Sequence, residues 1–142
     1  MAKINLDNVR GITTFSVLAD KEYENGLVVG LGDLVEGEVN VYEAVEATED
    51  NLYLITSPEV HRDSKSASID WVNAEGALMR VHQLERGDLF TVEKGIHGTG
   101  LTVGAKVGVS GNQFTGEGDV ALVIEEGTIG ADAKEAVTLR IL

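Results

Sequence analysis

Apolar and polar residues alternate along much of the chain with a period of two, which is typical of β-strands that bury one face. The pattern is clearest in the C-terminal block, residues 101–142. Its alternating apolar positions are Val107, Val109, Val120, Leu122, Ile124, Val137, Leu139 and Ile141. Glycine-rich turn sequences at 111–112, 116–119 and 127–132 separate these runs. We therefore expect antiparallel strands here, and we expect this block to close a barrel around the core.

The first part of the chain predicts further strands over residues 13–19, 27–31, 38–45, 51–56, 77–84 and 89–93. Within 38–45, Val39, Val41 and Val45 are expected to face the core, whereas Asn40 and Tyr42 face solvent. Asn25-Gly26 is a strong hairpin-turn sequence. A short helix remains an alternative for 77–84, and one helical turn is expected over 131–136.

About ten or eleven short strands without helices between them predict an all-β, single-domain antiparallel barrel or sandwich with glycine-rich turns. At 142 residues the chain has the length of one domain. We assign 13–142 to this β domain, with a polar loop at 57–68 that lacks periodicity and contains the only proline. Residues 1–12 fit either a frayed terminus or an extended arm that adds a strand to a neighbour.

The charge balance argues against two classes of partner. Twenty-four acidic residues oppose eleven basic ones, which gives a net charge of −13. Binding to nucleic acid or to anionic membranes is favoured by clustered Lys and Arg, so we expect neither partner. No stretch reaches the ~18 apolar residues of a membrane-spanning helix, and residues 1–7 have no apolar signal-peptide core, so we expect synthesis in a cytoplasm.

The sequence contains no recognisable catalytic constellation. The absence of cysteine removes disulfides, thiolate nucleophiles and Cys-ligated zinc. His61, His82 and His97 lack the spacing of a local metal site. Ser110 is one position out of place for a nucleophile elbow, and Arg86-Gly87-Asp88, although it matches an integrin-binding tripeptide, is interpreted as a tight turn. We predict no enzyme activity, no cofactor and no metal.

Several segments together are similar to a family of phage proteins. They are Glu24-Asn-Gly-Leu-Val-Val-Gly-Leu-Gly-Asp, Glu36-Gly-Glu-Val-Asn-Val-Tyr-Glu-Ala, Leu101-Thr-Val-Gly-Ala-Lys-Val-Gly-Val, Gly118-Asp-Val-Ala-Leu-Val-Ile-Glu-Glu-Gly-Thr and Ala136-Val-Thr-Leu-Arg-Ile-Leu. With them, the chain resembles tailed-phage head decoration (capsid cement) proteins, loosely of the phage lambda type. It departs from that type in its length and in the polar insertion at 57–68.

The resemblance implies a non-enzymatic viral structural protein that binds the outer surface of a phage capsid and clamps neighbouring capsid subunits. The implied partner is the major capsid protein. The implied assembly is a homo-oligomer, with a trimer favoured, on the capsid exterior of the virion after assembly in the host cytoplasm. The expected capsid-contact residues in the arm are Lys3, Ile4, Leu6, Val9, Arg10 and Ile12. The expected surface-loop residues are Glu59, His61, Arg62 and Asp63.

Two other functions remain open at this point. One is a phage tail or baseplate component, since such proteins use similar β domains. The other is a cupin-like, metal-dependent barrel enzyme in which His61, His82 and His97 converge around a metal ion.

Overall fold

The computed structural model describes residues 14–57, 72–130 and 132–142 in full, together with the backbone of residues 4–8. These parts contain eleven strands and one 3₁₀ helix, Lys94–Ile96. The strands are β1 (Ile4–Asn8), β2 (Thr14–Leu18), β3 (Val28–Leu34), β4 (Val41–Val45), β5 (Tyr53–Ile55), β6 (Leu78–Gln83), β7 (Leu89–Glu93), β8 (Lys106–Ser110), β9 (Gln113–Thr115), β10 (Ala121–Ile129) and β11 (Lys134–Ile141). In the described part of the chain, no helix is long and apolar enough to span a membrane.

Five strands from the first part of the chain form a closed barrel in the order β2-β4-β3-β5-β6. The pair β2–β4 is parallel and the other pairs are antiparallel. The fully buried interior side chains are Val17, Val29, Ile55, Met79 and Val81. Half-buried aromatic rings lie at one end, where Phe15 contacts Tyr42 and Tyr53 edge to face at 5.9 and 5.5 Å.

The remaining strands form a six-stranded antiparallel sheet in the order β1-β7-β11-β10-β8-β9. Its centre is the long β10–β11 hairpin, which pairs Ala121 with Ile141 and Ile129 with Lys134. The expectation that the C-terminal block closes the barrel is wrong. Strands β8 to β11 hydrogen-bond to one another and to β7, so they build the second sheet, and the barrel closes through the β2–β6 pair.

The barrel and the sheet share one large core. Val28 and Leu54 point out of the barrel and pack with sheet residues that include Phe90, Phe114 and Leu139. All five side chains are fully buried. Backbone bonds tie the two parts along the same seam, from the Val28 amide to the Asn112 carbonyl (3.1 Å) and from the Ala47 amide to the Gly111 carbonyl (2.9 Å). The all-β barrel prediction is thus confirmed, with a sheet packed on the barrel.

The predicted phase of β10 is wrong. Ala121 and Val123 are buried, whereas Leu122 is half-buried and Ile124 is 38% exposed. Residues 120–124 are all apolar, so alternation alone does not say which face is inside. The pairing of Ala121 with Val107 and Ile141 selects that face, and the register shifts just after Val123.

Two local expectations in and near the barrel also differ. Val39 is 84% exposed and Val45 40% exposed, while Tyr42 packs against the interior. The strand starts only at Val41, because the preceding residues form the turn and Asn40 has a φ of 57°. The predicted helical turn over 131–136 is likewise wrong within the described residues, since strand β11 already begins at Lys134. The alternative of a short helix over 77–84 is also wrong, because Leu78–Gln83 form strand β6.

Candidate interaction surface

A buried amide holds both ends of the chain segment that contains the predicted polar loop. Asn25 Nδ2 donates to the Ser57 carbonyl (2.9 Å), and the Ser57 amide donates to Asn25 Oδ1 (3.1 Å). The same oxygen accepts a bond from Asn73 Nδ2 (3.2 Å). These three residues are between 1% and 5% exposed. The points at which the chain leaves and rejoins the barrel are therefore fixed on a rigid base.

The predicted contact residues fall largely outside the described residues. This holds for Lys3, Val9, Arg10 and Ile12 in the arm, and for Glu59, His61, Arg62 and Asp63 in the loop. Ile4 and Leu6 lie on β1, which pairs antiparallel with β7 through Ile4–Val92 and Asn5–Thr91. Strand β1 ends the sheet, and no described strand pairs with its outer edge. The structure therefore brings the first predicted segment to an open sheet edge, and the assignment of contacts stays a prediction.

His97 lies in the seam between the barrel and the sheet, and both of its ring nitrogens are occupied. Nε2 donates to the Gly26 carbonyl on the barrel side (3.0 Å), and Nδ1 accepts from the Phe114 amide on β9 (3.0 Å). The ring also packs against Phe114, with centroids 5.3 Å apart. Burial lowers the pKa of His97 from 6.5 to about 4, because a buried imidazole loses the solvation of its charged form. A neutral ring thus joins the two halves of the molecule.

His82 has a separate role on the outside of the barrel. Its Nδ1 is hydrogen-bonded to the Thr56 hydroxyl. Partial burial, and next the nearby Arg80 guanidinium, lower its pKa. Among the described residues, no three His, Cys, Asp or Glu side chains are placed to hold a metal ion. His82 and His97 are therefore engaged in different hydrogen-bonded settings, and His61 lies outside the described residues.

The Arg86-Gly87-Asp88 sequence forms a turn, as interpreted. Gly87 adopts a φ of 90°, and Asp88 is fully buried. The Asp88 carboxylate accepts a bond from the Glu85 amide (2.8 Å), which closes the turn. An integrin-type contact requires an exposed aspartate, so this carboxylate serves the fold.

Exposed apolar side chains gather on one wall of the barrel, built by β6, β2 and β4. Leu78 is 58% exposed and is paired with Leu18, which in turn lies opposite Glu43. Val45 follows two residues after Glu43 on the same face. We call the outward side chains of Leu18, Glu43, Val45, Leu78 and Arg80 the barrel wall. Exposed apolar groups that share a face are typical of protein contact surfaces.

The β3–β4 hairpin adds two more exposed apolar side chains beside this wall, Leu34 at 59% and Val39 at 84%. The hairpin turn is ordered by bonds from the Val35 amide to the Val41 carbonyl (2.8 Å) and from the Glu38 amide to the Val35 carbonyl (3.3 Å). No Lys or Arg occurs between residues 22 and 61. The hairpin therefore presents apolar groups in acidic surroundings.

Sequence reasoning did not find the groups that organise these surfaces. Asn25 was recognised only as part of a turn, although its side chain spans three buried hydrogen bonds. Leu78 and Arg80 stand on a recognisable strand, but their outward orientation depends on which face the barrel encloses. From the sequence, His97 is considered only as a possible metal ligand, and nothing local in the sequence shows that Gly26 and Phe114 meet it.

Comparisons with family models, with curated proteins and with solved structures found no match.

Proposed function

We propose that this chain is a non-enzymatic structural protein of a tailed phage. In this proposal it binds the outer surface of the capsid and stabilises the shell by clamping neighbouring subunits of the major capsid protein. It acts as a homo-oligomer on the capsid exterior, after assembly in the host cytoplasm. The proposal starts from the resemblance of the segments quoted above and from the absence of a recognisable catalytic constellation in the sequence.

One observation carries the proposal: both predicted contact segments attach to rigid β structure. Strand β1 lies at the end of the six-stranded sheet, and Asn25 holds the base of the chain between Ser57 and Asn73. A contact segment with fixed ends loses less conformational entropy on binding than a free one, so more of its interaction energy appears as affinity. Such an arrangement suits a protein that reinforces a shell.

The outer edge of β1, with which no described strand pairs, provides the mode of attachment. Exposed edge strands offer unpaired amide and carbonyl groups, and an extended segment of a partner can add to them as a further strand. On a symmetric shell each decoration subunit meets many equivalent sites. Modest individual contacts then produce strong reinforcement. Once one subunit of an oligomer is bound, the other subunits are held close to their own sites and bind at a high effective concentration.

Co-sedimentation with empty, expanded capsids made from the major capsid protein of the same phage tests the proposal. We expect the full chain to pellet with the capsids and to raise their resistance to heat. A chain that lacks residues 2–12 should remain folded, because β7 keeps its pairing with β11. That truncated chain should bind at least about tenfold more weakly, since the edge strand is lost.

A matched control alters an exposed site away from both segments: Val103→Ser removes an apolar group that is 57% exposed and should leave binding unchanged. Absence of binding by the full chain would refute the capsid assignment. Full binding by the truncated chain would refute the role of residues 2–12 alone. Imaging of labelled protein on whole particles distinguishes the head from the tail, where the alternative function would place it.

A further inference from the structure

The barrel wall combines apolar exposure with one charge of each sign. Leu78 is 58% exposed, Val45 is 40% exposed, and Leu18 lies half-buried between β6 and β4. Arg80 on β6 and Glu43 on β4 are both exposed on this face. The surface is therefore neither a plain acidic patch nor a scattered set of apolar residues.

The strand register places the two charges diagonally across the wall. In one row Leu78 pairs with Leu18, and Leu18 pairs with Glu43. In the next row of the same face, Ser16 pairs with Arg80 and with Val41. With regular strand spacings, Arg80 and Glu43 are about 12 Å apart between Cα atoms, with β2 midway between them.

This diagonal has the symmetry of a two-fold contact. An axis that lies in the plane of the wall, at right angles to the Arg80–Glu43 line and through its midpoint on β2, exchanges the positions of Arg80 and Glu43. A second chain placed by that axis brings each Arg80 opposite the other chain's Glu43, so two ion pairs form at once. Leu18 and Leu78 lie close to this axis, on either side of it, so they meet the same two residues of the other chain, and an isologous interface consists of such reciprocal contacts.

We infer that the barrel wall is a self-association surface on which a second copy of this chain docks through reciprocal Arg80–Glu43 pairs around Leu18 and Leu78. Charge complementarity selects this occupant. With a net charge of −13, two chains repel each other over most orientations, and docking needs a face on which each copy offers a cation to the other's carboxylate. The closed barrel leaves no strand edge here, so the contact is made by side chains.

The proposed function already includes a homo-oligomer, and the barrel wall is inferred to be its contact surface. The purified chain should self-associate through this surface without a capsid. This surface specifies a two-fold dimer, whereas the resemblance implies a trimer. The wall belongs to the barrel and β1 belongs to the sheet, so this contact does not use the outer edge of β1, with which no described strand pairs.

The test is the native mass of the purified full chain, measured by sedimentation velocity over a range of micromolar concentrations. We expect a species of about 30 kDa, twice the 15.1 kDa of one chain. Leu78→Glu should raise the dimer dissociation constant at least roughly 100-fold, because it buries a carboxylate in the contact. Val103→Glu, at a site of matched exposure (57%) on the connection before β8, should leave the mass unchanged.

Charge reversal tests the pairing itself. Arg80→Glu and Glu43→Arg should each weaken the dimer roughly tenfold or more, and the double variant should recover most of the affinity. Arg80 also reaches the Thr56 hydroxyl at 3.4 Å, a contact that the double variant does not restore, so recovery reports on the pair between chains. Both sites are exposed, and a cooperative melt verifies that the variants are folded. A wild-type monomer or trimer, an unaffected Leu78→Glu dimer, or a double variant without recovery would each overturn the inference.

Discussion

The buried His97 makes a quantitative prediction about acid stability. In the folded chain His97 Nδ1 accepts a hydrogen bond from the Phe114 amide. A proton on this nitrogen would break that bond, because two N–H groups would then point at each other. Burial lowers the pKa of His97 to about 4 in the folded state, whereas an exposed histidine in the unfolded chain has a pKa near 6.5. Below pH 6.5 the unfolded state binds more protons than the folded state. The contribution of His97 to the free energy of unfolding is therefore fully present above pH 6.5 and is lost as the pH falls towards 4.

The size of the effect follows from these two pKa values. Each pKa unit corresponds to 1.36 kcal/mol, so the folded chain should lose about 3 kcal/mol from this group between pH 7 and pH 4. Such a loss is a large part of the stability of a small domain, which is typically ~5–15 kcal/mol.

The assay is urea unfolding at pH 7, 6, 5 and 4, with His97→Gln as the matched variant. Glutamine keeps a donor near the Gly26 carbonyl but does not titrate. All other ionisable groups are the same in the two proteins, so their contributions cancel in the difference. We expect the variant to be the less stable protein at pH 7 and the gap to close by about 3 kcal/mol towards pH 4. If the stabilities of the two proteins change with pH in parallel, the assignment of a neutral His97 ring that makes two hydrogen bonds is refuted.

Three stability measurements by thermal melting test other parts of the structure. Asn25→Ala should cost about 2–4 kcal/mol, because it leaves buried peptide groups without partners; a loss below about 1 kcal/mol would contradict the role given to this amide. Gly108→Ala should cost at least about 2 kcal/mol, since a Cβ there would lie 2.3 Å from the Glu117 carbonyl oxygen. The control Gly95→Ala should leave stability unchanged, because a Cβ there has no atom within 4 Å. Equal effects of the two substitutions would refute the close approach at Gly108. Ala133→Gly should stabilise by about 0.5–1 kcal/mol, because residue 133 has a φ of 51°, and a loss of stability would be the opposite result.

Alternation and turn chemistry by themselves determined the class of this protein. Period-two runs separated by glycine turns could only be short strands, because a helix repeats every 3.6 residues and needs a different spacing of apolar positions. The Asn25-Gly26 and Gly87 turns were likewise readable, since both glycines adopt a positive φ that disfavours other residues. The β class and most strand positions are local properties, so the sequence contains them.

Only the tertiary structure decided how the strands were sorted and which faces were enclosed. The alternation of apolar and polar residues does not show which strands pair with each other. The sequence therefore could not show that the C-terminal strands form a separate sheet and not part of the barrel. The run at 120–124 is apolar on both faces, and its phase came from the pairing of Ala121 with Val107 and Ile141. His97, Asn25 and the Arg80–Glu43 diagonal have the same origin. Each depends on residues far apart in the chain that meet only because hydrogen-bonded register and core packing, which are long-range, bring them together.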